Sequence, residues 1–334
     1  MVSFNAVSTA IVAIATFAAA DEVQTPVEPN TAAAPPLLGF GTWNLKVSPE
    51  NTTEAVSIAI QTGYRHIDAA AAYGNQVAVG KGIAEGLEKV GLTREDIWVT
   101  SKLWNDHHGD AKTVEEGLSK TLEELGLEYL DLYLMHWPVS SDGDYDYVET
   151  WKSLEKLLPT KVRNIGVANF SPHQLHKLVK SSTIKPAVHQ FELHPYLQQT
   201  EWVEFHQSHG IHVTAYSPLG NTNPTYRSSS RPANSRKSKK TPLLLENPEL
   251  SSIAEQRGCT TAQVALAWGL QRGASVIPKS SHEKWIKENF ESLECGLVDS
   301  DLDKIDKVGE KYLTRFNNPS GAWGVDLFEG LDDA

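Results

Sequence analysis

Cysteine is scarce in this chain of 334 residues: there are two, Cys259 and Cys295. They are too few for a disulfide framework and form neither a CxxC redox pair nor a zinc cluster, so buried thiols are expected. Positive charge is also short, with 30 Lys and Arg against 42 Asp and Glu and a net charge of −12. That balance works against non-specific nucleic-acid binding. Long apolar runs are missing too. The nearest, AVSTAIVAIATFAAA at residues 6–20, falls short of the roughly 20 residues a membrane-spanning helix needs. Its closing Ala-Ala-Ala before Asp21 resembles a signal-peptidase site, yet the preceding MVSFN carries no Lys or Arg. A cytoplasmic protein with no nucleic-acid or membrane partner is therefore expected, the alternative being secretion after removal of residues 1–20. Residues 1–25 are expected to be an extension, and the Pro- and Ala-rich stretch up to Pro36 to lie outside the core.

What is present is a regular alternation. Short apolar runs recur at about one βα unit: 37–43 (LLGFGTW), 66–71 (HIDAAA), 97–104 (IWVTSKLW), 130–137 (LDLYLMHW), 164–170 (NIGVANF), 187–194 (AVHQFELH), 211–219 (IHVTAYSPL) and 275–280 (SVIPKS). Between them lie stretches such as NTTEAVSIAIQTG and AKTVEEGLSKTLEELGL, whose apolar residues return every three or four positions, as helices on a sheet require. No GxGxxG follows the first run, which argues against a doubly wound dinucleotide-binding sheet. Eight such units predict an α/β fold of the (β/α)8 TIM-barrel type, a single domain over residues 26–334.

In such a barrel the carboxyl ends of the strands form the active site. Asp68 with Tyr73, Lys102 and His136 stand at the ends of the second, third and fourth runs. A tyrosine beside a lysine, with the lysine tied by an aspartate, makes a proton donor whose pKa the cation can lower. The segment after the seventh run, NTNPTYRSSSRPANSRKSKKTPLLLENPEL, breaks the rhythm and reads as a solvated loop. Arg227, Arg231, Arg236, Lys237, Lys239 and Lys240 in it could close over a phosphate.

The series GFGTWN, RHIDAAAAYGN, VTSKLW, LMHWP, GVANF, HQFELHP, AYSPLG and VIPKS resembles the aldo-keto reductases, especially fungal-type glycerol dehydrogenases and aldose reductases, from about residue 26 to the C-terminus. The resemblance implies a barrel that reduces carbonyls with NADPH, NADH being possible, and acts as monomer or homodimer on a small-molecule carbonyl. It makes Tyr73 the general acid, Lys102 the group that tunes it, Asp68 the anchor of Lys102, and His136 the donor that orients the carbonyl. Gly41, Thr42, Asn169, Gln190, Tyr216, Ser217, Leu219, Lys279, Ser280, Glu288 and Asn289 fall at cofactor-binding positions. Trp43, Trp104, His136 and Trp137 fall at substrate-binding ones, with Trp323 in the C-terminal run. Trp151 and Trp268 lie on predicted helices and read as packing. No metal ligand set is implied.

Two positions depart from the family pattern. Trp285 stands where many NADPH-preferring members carry an arginine, which removes a fork of guanidinium donors and leaves Lys279, with Lys284 or the basic loop as possible compensation. Ala168 replaces the more usual serine at the carboxamide site. The four alanines before Tyr73 are expected to leave room beneath the nicotinamide at Ala70 and Ala71. Rival readings are an NADPH-binding regulatory module with slow turnover and a metal-dependent barrel hydrolase prompted by the strand-end histidines.

Overall fold

A computed structural model describes residues 34–45, 48–141, 143, 145–227, 241–329 and 331. The N-terminal extension and the cationic residues Arg231, Arg236, Lys237, Lys239 and Lys240 lie outside the described residues. Every apolar run marked in the sequence contains a strand: β1 (Phe40–Gly41), β2 (His66–Asp68), β3 (Trp98–Leu103), β4 (Leu132–Met135), β5 (Ile165–Ala168), β6 (Val188–Glu192), β7 (His212–Tyr216) and β8 (Ser275–Val276). Each is parallel to the next in one eight-stranded sheet. The sheet closes on itself through a parallel bridge between Leu38 and Val276 and through the Gly41 N–H, which donates to Pro278 O at 3.0 Å. A Cβ on Gly41 would sit 2.7 Å from Ile277 O, so only glycine admits this seam. Pro35 is buried and its carbonyl accepts from Ser275 Oγ, so the chain joins the barrel just before Pro36 rather than after it.

The principal helices are α1 (Pro49–Thr62), α2 (Gln76–Val90), α3 (Ala111–Leu125), α4 (Tyr147–Glu155), α5 (Pro172–Ser181), α6 (Thr200–Ser208), α7 (Pro248–Arg257), α8 (Thr261–Gln271), α9 (Glu283–Phe290) and α10 (Asp299–Tyr312). Local chemistry sets their ends. Ser48 caps α1 with Pro49 in its first turn, Asp110 caps α3 by accepting from Thr113 N, and Gly63 stops α1 where Thr62-Gly63 reads as a helix stop. α4 carries Trp151 and α8 carries Trp268, both fully buried as packing residues. The segment after β7 is less open than its composition implies. Residues up to Arg227 form short 3-10 turns, Tyr226 stacks on Phe316 at 5.9 Å, Leu244 is fully buried, and Pro248 begins α7.

The two cysteines are not free thiols, contrary to expectation: Cys259 and Cys295 are joined in a disulfide. Cys259 follows α7, and Cys295 lies beyond α9. The fold sets these segments side by side, with Gln263 Nε2 donating to Glu288 O at 3.0 Å, a proximity that counting cysteines does not reveal. Among the described residues no helix is long and apolar enough to cross a membrane.

Under β6 the histidines form a buried chain whose proton positions are fixed by their partners. Phe170 N donates to His189 Nε2 at 3.0 Å, so the His189 proton lies on Nδ1 and is given to His206 Nε2 at 2.7 Å. His206 Nδ1 then donates to Trp202 O. Neither ring has room for a second proton. Burial holds His189 well below its ordinary value and brings His206, His66, His108 and His212 down to about 4. The unfolded chain takes up protons near 6.5 that the folded chain refuses down to about 4, so acid favours unfolding across that window. Each such group contributes a slope of about 1.4 kcal/mol per pH unit there. The urea midpoint is expected to fall steadily from pH 7 to pH 5; a midpoint constant over that range would contradict the neutral buried chain.

Candidate active site

At the carboxyl end of the strands lies a cavity of about 870 Å³. Asp68 ends β2, and its carboxylate is almost wholly buried. Its main-chain oxygen is held from β1 by Thr42, whose hydroxyl donates at 2.8 Å. Lys102 on β3 is completely buried and spends its ammonium protons on three oxygens: Asp68 Oδ1 at 2.6 Å, Ala69 O at 2.9 Å and Tyr73 Oη at 3.2 Å. Gln190 on β6 donates Nε2 to Asp68 Oδ2 at 2.8 Å, so each carboxylate oxygen has its own donor. Buried ions are tolerated when every remaining proton and lone pair is used in this way.

Tyr73 reaches the lysine because the alanine run does not continue as a helix. Ala70 is extended, Ala71–Tyr73 make a single 3-10 turn, and Gly74 exits in the left-handed region at φ 66°. Ala69 and Ala70 are fully buried behind the site, and only Ala72 of the run lines the cavity, so the expected clearance at Ala70 and Ala71 is not where the small residues are used. They allow close packing and leave the Ala69 carbonyl for Lys102.

The electrostatics differ from the simple expectation of a tyrosine acidified by lysine. Burial first, then the Asp68 charge, raises the Tyr73 pKa well above that of an ordinary phenol. Burial lowers Lys102, an effect opposed by Asp68. Burial, then the Lys102 charge, holds His136 well below its ordinary value. At neutral pH the site thus presents a protonated phenol beside a neutral imidazole, their ring centres 5.8 Å apart.

Most of the sequence-derived positions converge on this cavity. Gly41, Trp43, Asp68, Tyr73, Trp104, His136, Trp137, Asn169, Gln190, Tyr216, Ser217, Leu219, Lys279, Ser280, Glu288, Asn289 and Trp323 all line it. Thr42 does not: it is fully buried and serves Asp68 from behind. Lys102 is likewise behind the wall. Asn169 and Ser217, at φ 61° and 49°, adopt the left-handed conformation that turns each strand end toward the mouth. Asn169 Nδ2 donates to His136 O at 3.0 Å, and its Oδ1 accepts from the Tyr216 hydroxyl at 2.8 Å. Trp137 and Trp104 meet Trp323 edge-on at 5.1 and 6.2 Å, and Trp43 lies 5.6 Å from Tyr226.

At the far end, Lys279 is half-buried, lowered in pKa by burial, and makes no ion pair among the described residues. An unpaired cation in a cleft suits a phosphate. Trp285 is exposed in the cavity wall, its ring set edge-on to His282 at 4.4 Å, whereas Lys284 does not line the cavity. A cavity whose lining combines the polar side chains of Asn169 and Gln190, the Tyr216 ring and the Lys279 cation fits a phosphorylated dinucleotide. Among the described residues no three of His, Cys, Asp and Glu gather as a metal site.

Three contributors escaped sequence reasoning. Tyr226 and Asn317 line the cavity, and Glu192 supports Asn317 from below. The HQFELHP motif contains Glu192 and the segment after the seventh run contains Tyr226, but neither residue was distinguished from its neighbours, and nothing pointed to Asn317.

The sequence profile described as the aldo/keto reductase family matches residues 37–310. An uncharacterised oxidoreductase of Schizosaccharomyces pombe is 46% identical over 317 residues, covering 89% of this chain and 92% of the relative. The NAD(P)H-dependent D-xylose reductase I,II of Candida tropicalis is 39% identical over 307 residues, covering 85% and 91%. The crystal structure of a Bombyx mori aldo-keto reductase in complex with NADP superposes with a TM-score of 0.77 at 33% identity, covering 88% of this chain and 94% of that one. The chain therefore belongs to the aldo-keto reductase family, as an NAD(P)H-dependent oxidoreductase that reduces carbonyls.

Proposed function

We propose that the protein reduces small aldehydes or aldoses to alcohols with NADPH, and that Tyr73 is the general acid. The observation that carries this reading is the single ammonium of Lys102 bonded at once to Asp68, to Ala69 O and to the Tyr73 phenol. When bound, the reduced nicotinamide supplies hydride to the carbonyl carbon. Tyr73 gives its proton to the carbonyl oxygen, and the Lys102 N–H directed at the phenol oxygen stabilises the phenolate left behind. His136, neutral, offers an N–H to the same carbonyl oxygen and so fixes its orientation. Asn169 and Gln190 Oε1 supply polar groups for the nicotinamide carboxamide, with Tyr216 as the stacking surface. Lys279 with Ser280 receives the 2′-phosphate, and Glu288 and Asn289 lie at the adenine. Trp43, Trp104, Trp137 and Trp323 give apolar walls that suit a short aldehyde or the apolar face of a small aldose. The D-xylose reductase relative favours an aldose, and glyceraldehyde is the smallest member of that class.

Tyr73→Phe is expected to lower kcat by about a hundredfold or more while leaving the NADPH Kd unchanged; turnover near that of the wild type would remove Tyr73 from the mechanism. With Tyr73 raised and His136 lowered, neither group titrates near neutrality. The kcat/KM for glyceraldehyde reduction should therefore be flat across neutral pH, and a bell centred there would contradict the protonation states. NADPH is expected to bind more tightly than NADH because Lys279 awaits the 2′-phosphate. Equal dissociation constants would show that the phosphate is not read. A protein that binds NADPH yet turns over none of glyceraldehyde, xylose or an aromatic aldehyde would instead be the regulatory module.

A further inference from the structure

Glu192, the last residue of β6, carries a carboxylate with no exposure to solvent and no place in the chemistry described above. Its Oε1 accepts from His194 Nε2 and from Phe316 N, both at 2.8 Å, and its Oε2 accepts from Asn317 N at 2.8 Å. His194 Nδ1 accepts the Tyr196 N–H, so the imidazole proton lies on Nε2 and points at Glu192. Burial acts to raise the Glu192 pKa, but the hydrogen bond from His194, the Arg315 charge and the Phe316 N–H hold it below the usual carboxylate range. One buried charge thus grips two consecutive main-chain amides of the C-terminal segment, more than a hundred residues away along the chain.

That segment reaches the nicotinamide end of the cavity. Asn317 Nδ2 donates to the Tyr216 hydroxyl at 3.0 Å, and the hydroxyl donates to Asn169 Oδ1 at 2.8 Å. Asn169 in turn donates to the main-chain oxygen of His136. The hydrogen bonds run without a gap from Glu192 through Asn317 and Tyr216 to Asn169 and His136. A tyrosine hydroxyl held from both sides keeps its ring in place, which lowers the ordering cost when a planar ligand arrives.

We propose that Glu192 is a positioning residue of the reductase, holding Asn317 so that Asn317 sets the Tyr216 ring and the Asn169 amide for the nicotinamide. The inference rests on the reading that the nicotinamide lies against Tyr216. It makes the C-terminal segment, which also carries Trp323 into the cavity, part of the cofactor site as well as a wall of the substrate site.

The test compares wild type, Glu192→Gln, Asn317→Ala and the double variant by NADPH Kd from fluorescence titration, glyceraldehyde KM and kcat, and thermal midpoint. Asn317→Ala leaves the main-chain amides on Glu192 intact and removes only the reach to Tyr216, so it stays informative if Glu192→Gln fails to fold. Asn317→Ala is expected to weaken NADPH binding about tenfold, the weight of one lost hydrogen bond, with a smaller change in thermal midpoint than Glu192→Gln produces. In a folded double variant the effect on Kd should be no larger than that of Asn317→Ala alone, because Glu192 acts on the site only through Asn317. The proposal is overturned if Asn317→Ala leaves Kd within twofold of wild type, or if Glu192→Gln lowers the thermal midpoint while Kd and KM stay unchanged. If the wild type itself binds no NADPH, the functional reading fails first and the proposal falls with it.

Discussion

The buried ion pair between Asp68 and Lys102, 2.6 Å long, is the contact on which the rest of the site depends. Taking both charges out of water costs several kcal/mol per ion, and their attraction offsets that only if the remaining valences are filled. Here they are. Gln190 takes the second carboxylate oxygen, and Ala69 O and the Tyr73 phenol take the other ammonium protons. The partners come from β2, β3, β6 and the turn after β2, so the pair is complete only when the barrel is closed. The ion pair and the packing of β6 against β2 and β3 thereby depend on one another, and removing either ion would leave the other buried and unpaired.

The same arrangement sets the protonation state of the proposed acid. Lysine was expected to acidify tyrosine, but the same burial that gives the pair its strength raises the phenol above its ordinary value. A phenol that stays protonated is the right state for the acid in a reduction. In the proposed mechanism the lysine then acts after transfer, as a donor already directed at the oxygen that becomes negative. His136 completes the division of labour, because a ring kept neutral by burial and by Lys102 adds an N–H without a second positive charge.

The sequence showed what repeats locally. Each strand lay inside a marked apolar run, and Asp68, Lys102 and His136 were legible because a barrel turns every strand end toward one face. Position along a strand was therefore enough for those three, whereas Asn169 came only from the family resemblance. What remained hidden depends on partners far apart in the chain. Cys259 and Cys295 read as separate thiols, and nothing in their local context announced that the fold sets them face to face. Glu192 read as one residue in a motif, and its hydrogen bonds to Phe316 and Asn317 join residues more than a hundred positions apart. Thr42 differs again: its motif lies at the site, but its side chain is buried and its hydroxyl donates to the Asp68 main-chain oxygen.

In the proposed mechanism Lys102, fixed by Asp68, acts on Tyr73. Replacing it by methionine keeps the length and removes the charge, so the measurement is kcat for NADPH-dependent glyceraldehyde reduction by Lys102→Met, beside its NADPH Kd. The account predicts a loss of about a hundredfold or more in kcat with the cofactor still bound. A folded Lys102→Met protein that turns over within a few-fold of the wild type would contradict it.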